Sequence, residues 1–179
     1  MSSVALPDYA ELCCRSNFSF LTGASHPEEL VRAAAARGYR ALALSDECSF
    51  AGLVRAHVAA REAGIALIAG TELVLEDGLR LVLLADDLTA YRAIAALITR
   101  GRRRAPKGRY VLNRDDVATL AHGLVVWLPA HDAVDDERAA WLARHFPARA
   151  WIGLGLFYAG DDAARLAHVR RLGAAGGLP

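Results

Sequence analysis

The sequence predicts an α/β fold with a mainly parallel sheet, either open or curled into a barrel. Short apolar runs alternate with amphipathic helical segments almost throughout the 179 residues, and this alternation is typical of βαβ units. Two of the predicted helices stop directly at Gly38 and Gly64, where glycine commonly ends a helix. The chain is 54% apolar and 23% charged, which provides for a substantial core and excludes extensive disorder.

The first half of the chain is predicted to hold three strands and two helices. The first strand covers about residues 10–14, and a polar loop then leads to a helix over about 26–37. Ser25 and Glu28 match the spacing of a capping box at the start of that helix, and Pro27 falls in its first turn, where its missing N–H costs nothing. The remaining elements are a buried strand at 41–45, a helix at about 50–63 and a long strand at 65–75.

The second half is predicted to begin with a hairpin, because Asp77-Gly78 separates two apolar runs. Asn113 is predicted to cap a short helix that reaches residue 120. The predicted elements are a strand at 81–85, helices at 89–103 and 113–120, a strand at 124–128, a helix at 135–146, a strand at 151–156 and a helix at 161–175. Residues 176–179 are expected to lead into a further strand, so we expect the chain to end inside its domain.

The composition indicates the cellular compartment of the protein more clearly than its function. The net charge of +1 gives no global attraction to nucleic acid or membrane. No run approaches the ~18 to 20 apolar residues that cross a bilayer, and the first residues do not have the pattern of a signal peptide. Three cysteines, two of them adjacent, make a poor disulfide framework. We therefore expect a cytoplasmic protein with no membrane partner.

Polar side chains follow several predicted strands at their carboxyl ends, which meet at one edge of a parallel sheet. They are Cys13 and Arg15 after the first strand, Asp46 and Glu47 after the second, Glu72 on the third and His131 after a later one. Carboxylate, thiolate and imidazole groups together would suit a divalent metal. Such a metal could activate water against a phosphoester.

An ion-paired cluster without metal is an interpretation of at least equal weight. Asp46 would then cap the following helix, and Glu47 would be an acid in its first turn. Arg15 stands where a metal site would least accept a cation, and it would pair with Asp46 or Glu72. The same residues thus predict either a metal centre or an ion-paired edge of the sheet.

The cysteines allow two interpretations as well. Cys13 and Cys14 are neighbours on a strand, so their side chains point to opposite faces and at most one enters the site. Cys13 with Cys48 could form a soft thiolate site, but two small buried residues are the favoured interpretation.

A basic run closes the helix predicted at 89–103. It places six cations within ten residues, namely Arg100, Arg102, Arg103, Arg104, Lys107 and Arg109. These side chains could neutralise nucleic-acid phosphates or contact an acidic partner domain. The C-terminal end of a helix dipole also favours cations, so a solvated helix end is the other interpretation.

Several segments resemble the PHP (polymerase and histidinol phosphatase) domain, namely residues 9–30, residues 41–52 and Leu67-Ile-Ala-Gly-Thr-Glu-Leu73. The resemblance is greatest to the error-prone DNA polymerase III alpha-subunit branch, of which residues 100–108 and 123–129 also look typical. It extends over nearly the whole chain. It implies a distorted, TIM-like β/α barrel of PHP type, truncated before its last strand, with the site at the carboxyl ends of the strands.

The resemblance also implies a function. Residues 1–179 would be the N-terminal PHP domain of an error-prone DNA polymerase that serves damage-induced mutagenesis and translesion synthesis. The catalytic carboxylates and Mg²⁺ of that polymerase would lie in a palm domain further along. The implied partners are the remaining polymerase domains, DNA through them, and other mutagenesis and replication proteins. A metal-dependent phosphoesterase of the same superfamily is the alternative.

Metal-binding members of this family carry His-x-His in the first motif and an Asp-His pair in the second. By this resemblance Asp46 and Glu72 match metal ligands, whereas Cys13, Arg15 and Glu47 stand at other ligand positions and do not match. A fixed guanidinium charge repels a divalent cation and partly takes over its electrostatic role. We therefore expect a degenerate site in a scaffold without its own catalysis. The candidate DNA or interdomain contacts are Arg102, Arg103, Arg104 and Lys107.

Overall fold

A computed structural model describes residues 8–130, 135–156 and 158–179. The chain divides into two compact units, Met1–Glu72 and Leu73–Pro179. Each unit combines strands with helices, so the predicted α/β class is confirmed. His131, which the sequence places after a later strand, lies outside the described residues.

The first unit is a parallel layer of strands packed against two helices. Strand β1 (Ala10–Cys14) pairs in parallel with β2 (Ala41–Glu47), and β2 pairs in parallel with β3 (Ala66–Val74). Helices α1 (Pro27–Ala36) and α2 (Leu53–Ala63) connect these strands. Both helices and β2 contribute to one buried apolar cluster that includes Val31, Leu42, Leu44 and Ala56. Because the strands are parallel, their carboxyl ends meet at one edge.

The start of α1 differs by one residue from the prediction. The helix begins at Pro27, and His26 is its N-cap, whose backbone amide donates to Glu29 Oε2 at 2.7 Å. A proline holds the preceding residue in the extended region, and His26 has φ −68° and ψ 151°. Glu28 instead pairs with an arginine of α2. The predicted Ser25–Glu28 capping box is therefore wrong.

The end of β2 and the start of α2 also differ from the prediction. β2 continues through Asp46 and Glu47, because these residues pair with Thr71 and Glu72 of β3. Helix α2 begins only at Leu53. Asp46 therefore caps no helix and Glu47 lies in no first turn, so both of those interpretations are wrong.

The described part of the second unit is built from strands β4 to β6 and helices α3 to α6. The elements are β4 (Arg80–Leu84), α3 (Leu88–Arg103), α4 (Arg114–Ala118), β5 (Leu124–Trp127), α5 (Asp136–His145), β6 (Ala150–Ile152) and α6 (Asp162–Gly176). β4 and β5 are antiparallel, whereas β5 and β6 are parallel. Trp127, Leu142 and Phe146 are among its largest fully buried side chains.

Two predicted features of this unit are confirmed. Gly78 has φ +80° and donates its amide to the Leu75 carbonyl at 2.9 Å, which makes the turn expected at Asp77-Gly78. Asn113 caps α4, since its side-chain oxygen accepts from the Asp116 amide at 3.0 Å. However, α4 is shorter than predicted, and so is β6. No helix within residues 8–130, 135–156 and 158–179 is long and apolar enough to cross a membrane.

Candidate functional site

Asp46 lies near the carboxyl end of β2, and hydroxyl and amide donors surround its carboxylate. The residue is 1% exposed. Its Oδ1 accepts from the Ser16 amide at 2.8 Å and from the Ser19 hydroxyl at 2.7 Å, and its Oδ2 accepts from the Ser16 hydroxyl at 2.7 Å. Hydrogen bonds to an ionised carboxylate are stronger than those between neutral groups. Both oxygens of Asp46 are thus bound by the chain itself.

The same serines order the loop that follows β1. The Ser19 hydroxyl oxygen accepts from the Glu47 amide at 2.9 Å, and the Ser19 amide donates to the Ser16 carbonyl at 2.9 Å. Gly23 packs so closely that a Cβ there would lie 1.9 Å from the Ser16 carbonyl oxygen. We name residues 16–25 the clasp loop, because Asp46 fastens them to β2.

Glu72 is paired with Arg15 at the same edge of the first unit. Arg15 Nε donates to Glu72 Oε2 at 2.9 Å, and Arg15 Nη2 donates to Oε1. The side chains are 3% exposed for Glu72 and 20% for Arg15. This bidentate contact is the geometry that a guanidinium favours with a carboxylate. Of the two partners that the sequence leaves open for Arg15, the structure therefore shows Glu72.

The cysteines are placed differently from one another. Cys13 is exposed, Cys14 is half-buried against the apolar cluster of the first unit, and Cys48 is buried. Burial raises the pKa of the Cys14 thiol to about 11, which keeps it protonated and unreactive at neutral pH. The interpretation of Cys13 and Cys48 as two small buried residues holds for Cys48 alone. These three cysteines all lie within the described residues, and none forms a disulfide.

Hydrogen bonds from within the chain already engage the two carboxylates that match metal ligands, Asp46 and Glu72. An ion at Asp46 would compete with three serine hydrogen bonds, and an ion at Glu72 would meet the Arg15 guanidinium. Across the part of the chain that the structure describes, no three histidine, cysteine, aspartate or glutamate side chains are grouped to hold an ion. Metal binding by Asp46 and Glu72 stays a prediction, and their hydrogen bonds disfavour it.

The serines of the clasp loop belong to the site, although the sequence alone does not identify them. Ser16 and Ser19 lie 30 and 27 positions before Asp46. The one available signal was a Ser-x-x-Ser spacing in the polar loop between a strand and a helix, where hydroxyls often bind nearby backbone. That signal does not indicate a distant carboxylate.

The basic run at the end of α3 contains arginines with a structural role. Arg100 and Arg104 both pair with the buried Asp116 of α4. The Arg102 guanidinium lies over the Tyr110 ring, 5.3 Å from its centroid, a favourable cation–π distance. These contacts join the end of α3 to the loop and helix that follow it. Whether Arg102, Arg103, Arg104 and Lys107 contact DNA or another domain stays a prediction.

We expect Asp116→Asn to lower stability at neutral pH and to flatten its dependence on acid. Burial alone raises the pKa of Asp116, but hydrogen bonds from the Asn113 amide and the Arg104 guanidinium outweigh it and lower the pKa below its ordinary value. A lowered pKa in the folded state gives stability that is present above the unfolded pKa, roughly 4, and is lost as pH falls through the folded value. Urea denaturation at neutral and acid pH measures the difference.

Asp115→Asn is the matched control, because Asp115 is the exposed neighbour on the same helix. We expect about 1–3 kcal/mol of destabilisation for Asp116→Asn at pH 7 and little for the control. Equal acid dependence in wild type and Asp116→Asn would show that the Asp116 pairs do not stabilise the fold.

Comparison with protein families and curated sequences gives one consistent family. The model of the PHP domain matches residues 11–160. The error-prone DNA polymerase of Methylococcus capsulatus is 57% identical over 173 residues, which cover 96% of this chain and 16% of the relative. That of Dechloromonas aromatica is 50% identical over 184 residues, covering 98% and 18%. The chain therefore spans about a sixth of the length of these curated relatives.

Comparison with solved structures shows the same fold. A Bifidobacterium adolescentis protein assigned as a metal-dependent phosphoesterase superposes with a TM-score of 0.64 at 16% identity, covering 97% of this chain and 85% of that chain. An amidohydrolase from Chromobacterium violaceum gives a TM-score of 0.64 at 17% identity, covering 94% and 84%. Identities this low show the fold alone. The two superpositions confirm the predicted distorted β/α barrel of PHP type.

Proposed function

Because the chain belongs to the PHP domain family, we propose that it is the PHP domain of an error-prone DNA polymerase. Within that polymerase it acts as a scaffold rather than as a catalyst. The observation that carries the proposal is that nearly the whole chain is 57% identical to a segment of a polymerase about six times as long. In this proposal the other polymerase domains perform Mg²⁺-dependent DNA synthesis past lesions in the bacterial cytoplasm. Mutagenesis and replication proteins are further partners.

The chemistry of the site supports a structural role. Burying an ionised carboxylate is costly unless hydrogen bonds or an opposite charge compensate it. Asp46 receives three hydrogen bonds, and Glu72 receives a guanidinium. The protein thus stabilises both charges with its own side chains and backbone, and the fold needs no ion for that purpose.

The clasp loop exposes an apolar surface through which the chain, as a scaffold, could bind another part of the polymerase. Phe20 is 86% exposed and Leu21 is 94% exposed. Leu21 also has φ +64°, a conformation that costs energy for a residue with a side chain. Large apolar groups held outward by an ordered loop are suited to burial against another protein surface. We propose that this surface binds the remaining domains of the polymerase.

The test is association in trans. The chain is produced together with the Methylococcus capsulatus polymerase from which the matching segment is deleted. We expect a stable complex in size-exclusion chromatography and primer extension that depends on adding the chain. Phe20→Ser with Leu21→Ser should weaken the complex at least tenfold, because both side chains would no longer be buried. Leu88→Ser with Leu156→Ser is the control, since these exposed apolar residues lie in the second unit. Absence of a complex with the unaltered chain would overturn the scaffold proposal.

A metal-dependent phosphoesterase is the second candidate, favoured by the likeness to the Bifidobacterium adolescentis structure. That function needs carboxylates directed at an ion. The pairing of Glu72 with Arg15 and of Asp46 with the serines disfavours it. Tightly held ions together with phosphoester hydrolysis would support this candidate instead.

A further inference from the structure

We propose that the C-terminal end of α3 and the loop that follows it bind the phosphodiester backbone of duplex DNA through Arg103, Lys107 and Arg109. The net charge of the chain is +1, yet residues 100–109 hold six cations. Positive charge is therefore concentrated in one segment. This binding surface goes beyond the scaffold role and does not rest on it.

Three of the six cations build the base of the loop. Arg100 and Arg104 pair with Asp116, so their charges are partly compensated by a buried carboxylate. Arg102 packs over Tyr110 and directs Nη1 to the Arg109 carbonyl at 3.5 Å. These contacts make Arg100, Arg102 and Arg104 supports of the loop, which changes the set of contact residues that the sequence indicates.

The loop is fixed at its ends by backbone contacts. The Val111 amide donates to the Gly101 carbonyl at 3.1 Å, and the Arg109 amide donates to the Pro106 carbonyl at 3.0 Å. A Cβ on Gly101 would lie 2.8 Å from Leu112 Cγ, so helix and returning chain pack tightly. The Tyr110 hydroxyl oxygen accepts from the Val74 amide at 2.9 Å. A loop ordered in this way loses little conformational entropy on binding.

The other three cations are exposed. Arg103, Lys107 and Arg109 form no ion pair with any residue that the structure describes. A guanidinium group can donate two parallel hydrogen bonds to the oxygens of one phosphate, and lysine adds a point charge on a flexible side chain. Their charges are therefore available to phosphates.

The composition of the loop favours nucleic acid over an acidic protein. The apolar residues between Arg103 and Arg109 are Ala105 and Pro106, both small. Protein interfaces commonly have a core of aromatic or large apolar side chains, whereas surfaces that bind DNA are polar and strongly positive. Phosphate contacts carry no sequence information, so we infer binding that does not depend on base sequence.

The experiment measures binding of the chain to a fluorescent duplex of random sequence at several NaCl concentrations. Each lost phosphate contact should lower the slope of log affinity against log salt by roughly 0.9. The triple variant Arg103→Gln, Lys107→Gln, Arg109→Gln should therefore lower that slope by roughly 2 to 3 and weaken binding at low salt at least tenfold. The melting temperature of the variant should stay unchanged, because the side chains are exposed.

The control variant carries Arg32→Gln, Arg61→Gln and Arg92→Gln, which remove the same charge from other exposed positions. Its slope should fall by less than about 1. An equal fall in both variants, or none in either, would overturn the proposal. Polyglutamate serves as a second probe. If the loop variant loses polyglutamate binding and keeps DNA binding, the surface serves an acidic protein and the proposal is wrong. None of these outcomes alters the test of the scaffold.

Discussion

Replacing Asp46 with alanine is expected to lower the free energy of unfolding by roughly 3–5 kcal/mol. The substitution removes a buried acceptor and leaves the Ser16 amide, the Ser16 hydroxyl and the Ser19 hydroxyl without a partner. Each unsatisfied buried donor costs about 1–3 kcal/mol. Urea denaturation monitored by circular dichroism gives the difference in stability. Hydrogen exchange should show faster opening of residues 16–25.

Two further variants separate the hydrogen bonds from a general effect of charge. Asp86→Ala removes an exposed carboxylate and should change stability by less than about 0.5 kcal/mol. Asp46→Asn keeps one acceptor oxygen and the volume of the side chain, so its effect should lie between those of the two alanine variants. If Asp46→Ala costs no more than Asp86→Ala, the clasp loop is not held by Asp46.

The second large effect is expected at the pair formed by Arg15 and Glu72. Arg15→Ala removes the guanidinium that pairs with the buried Glu72 carboxylate, and breaking a buried pair in this way costs roughly 3–5 kcal/mol. Replacing both residues with leucine should cost much less than the sum of the two single leucine substitutions, because neither charge of the pair remains buried. The wild-type chain, Arg15→Leu, Glu72→Leu and the double leucine variant form a double-mutant cycle, in which denaturation measures the free energy of unfolding.

The pair of Glu28 and Arg55 is a matched control in the same unit, since it joins the same residue types nearer the surface. Its coupling should not exceed about 1 kcal/mol. If the Arg15–Glu72 cycle shows no greater coupling than this surface pair, the guanidinium does not stabilise the buried carboxylate.

The sequence predicted the edge at which the site lies. Alternation of apolar runs and helices implied parallel strands, and this topology brings Arg15, Asp46 and Glu72 to the carboxyl end of one layer. The bidentate pair was one of the options that the charges allowed. The clasp loop was not predictable, because hydrogen bonds from Ser16 and Ser19 to Asp46 span about 30 positions and follow no period.

Local chemistry explains the other differences. The spacing of Ser25 and Glu28 fits a capping box, but the restriction that Pro27 places on His26 determines the N-cap. The number of cations in the basic run was evident from the sequence. The sequence did not show which of these cations are paired within the fold and which are exposed. That difference depends on Asp116, which pairs with Arg100 and Arg104 from another helix.

A titration of the untagged chain with Mn²⁺ and Zn²⁺, followed by calorimetry and by metal analysis after dialysis, tests whether the chain is a scaffold without a metal site. Hydrolysis of a simple phosphodiester is assayed in parallel. Because Asp46 and Glu72 are bound by serines and Arg15, we expect no stoichiometric ion retained after dialysis and no hydrolysis above the level of free metal. Two ions retained per chain, lost on Asp46→Asn and accompanied by hydrolysis, would contradict the scaffold role and indicate a phosphoesterase.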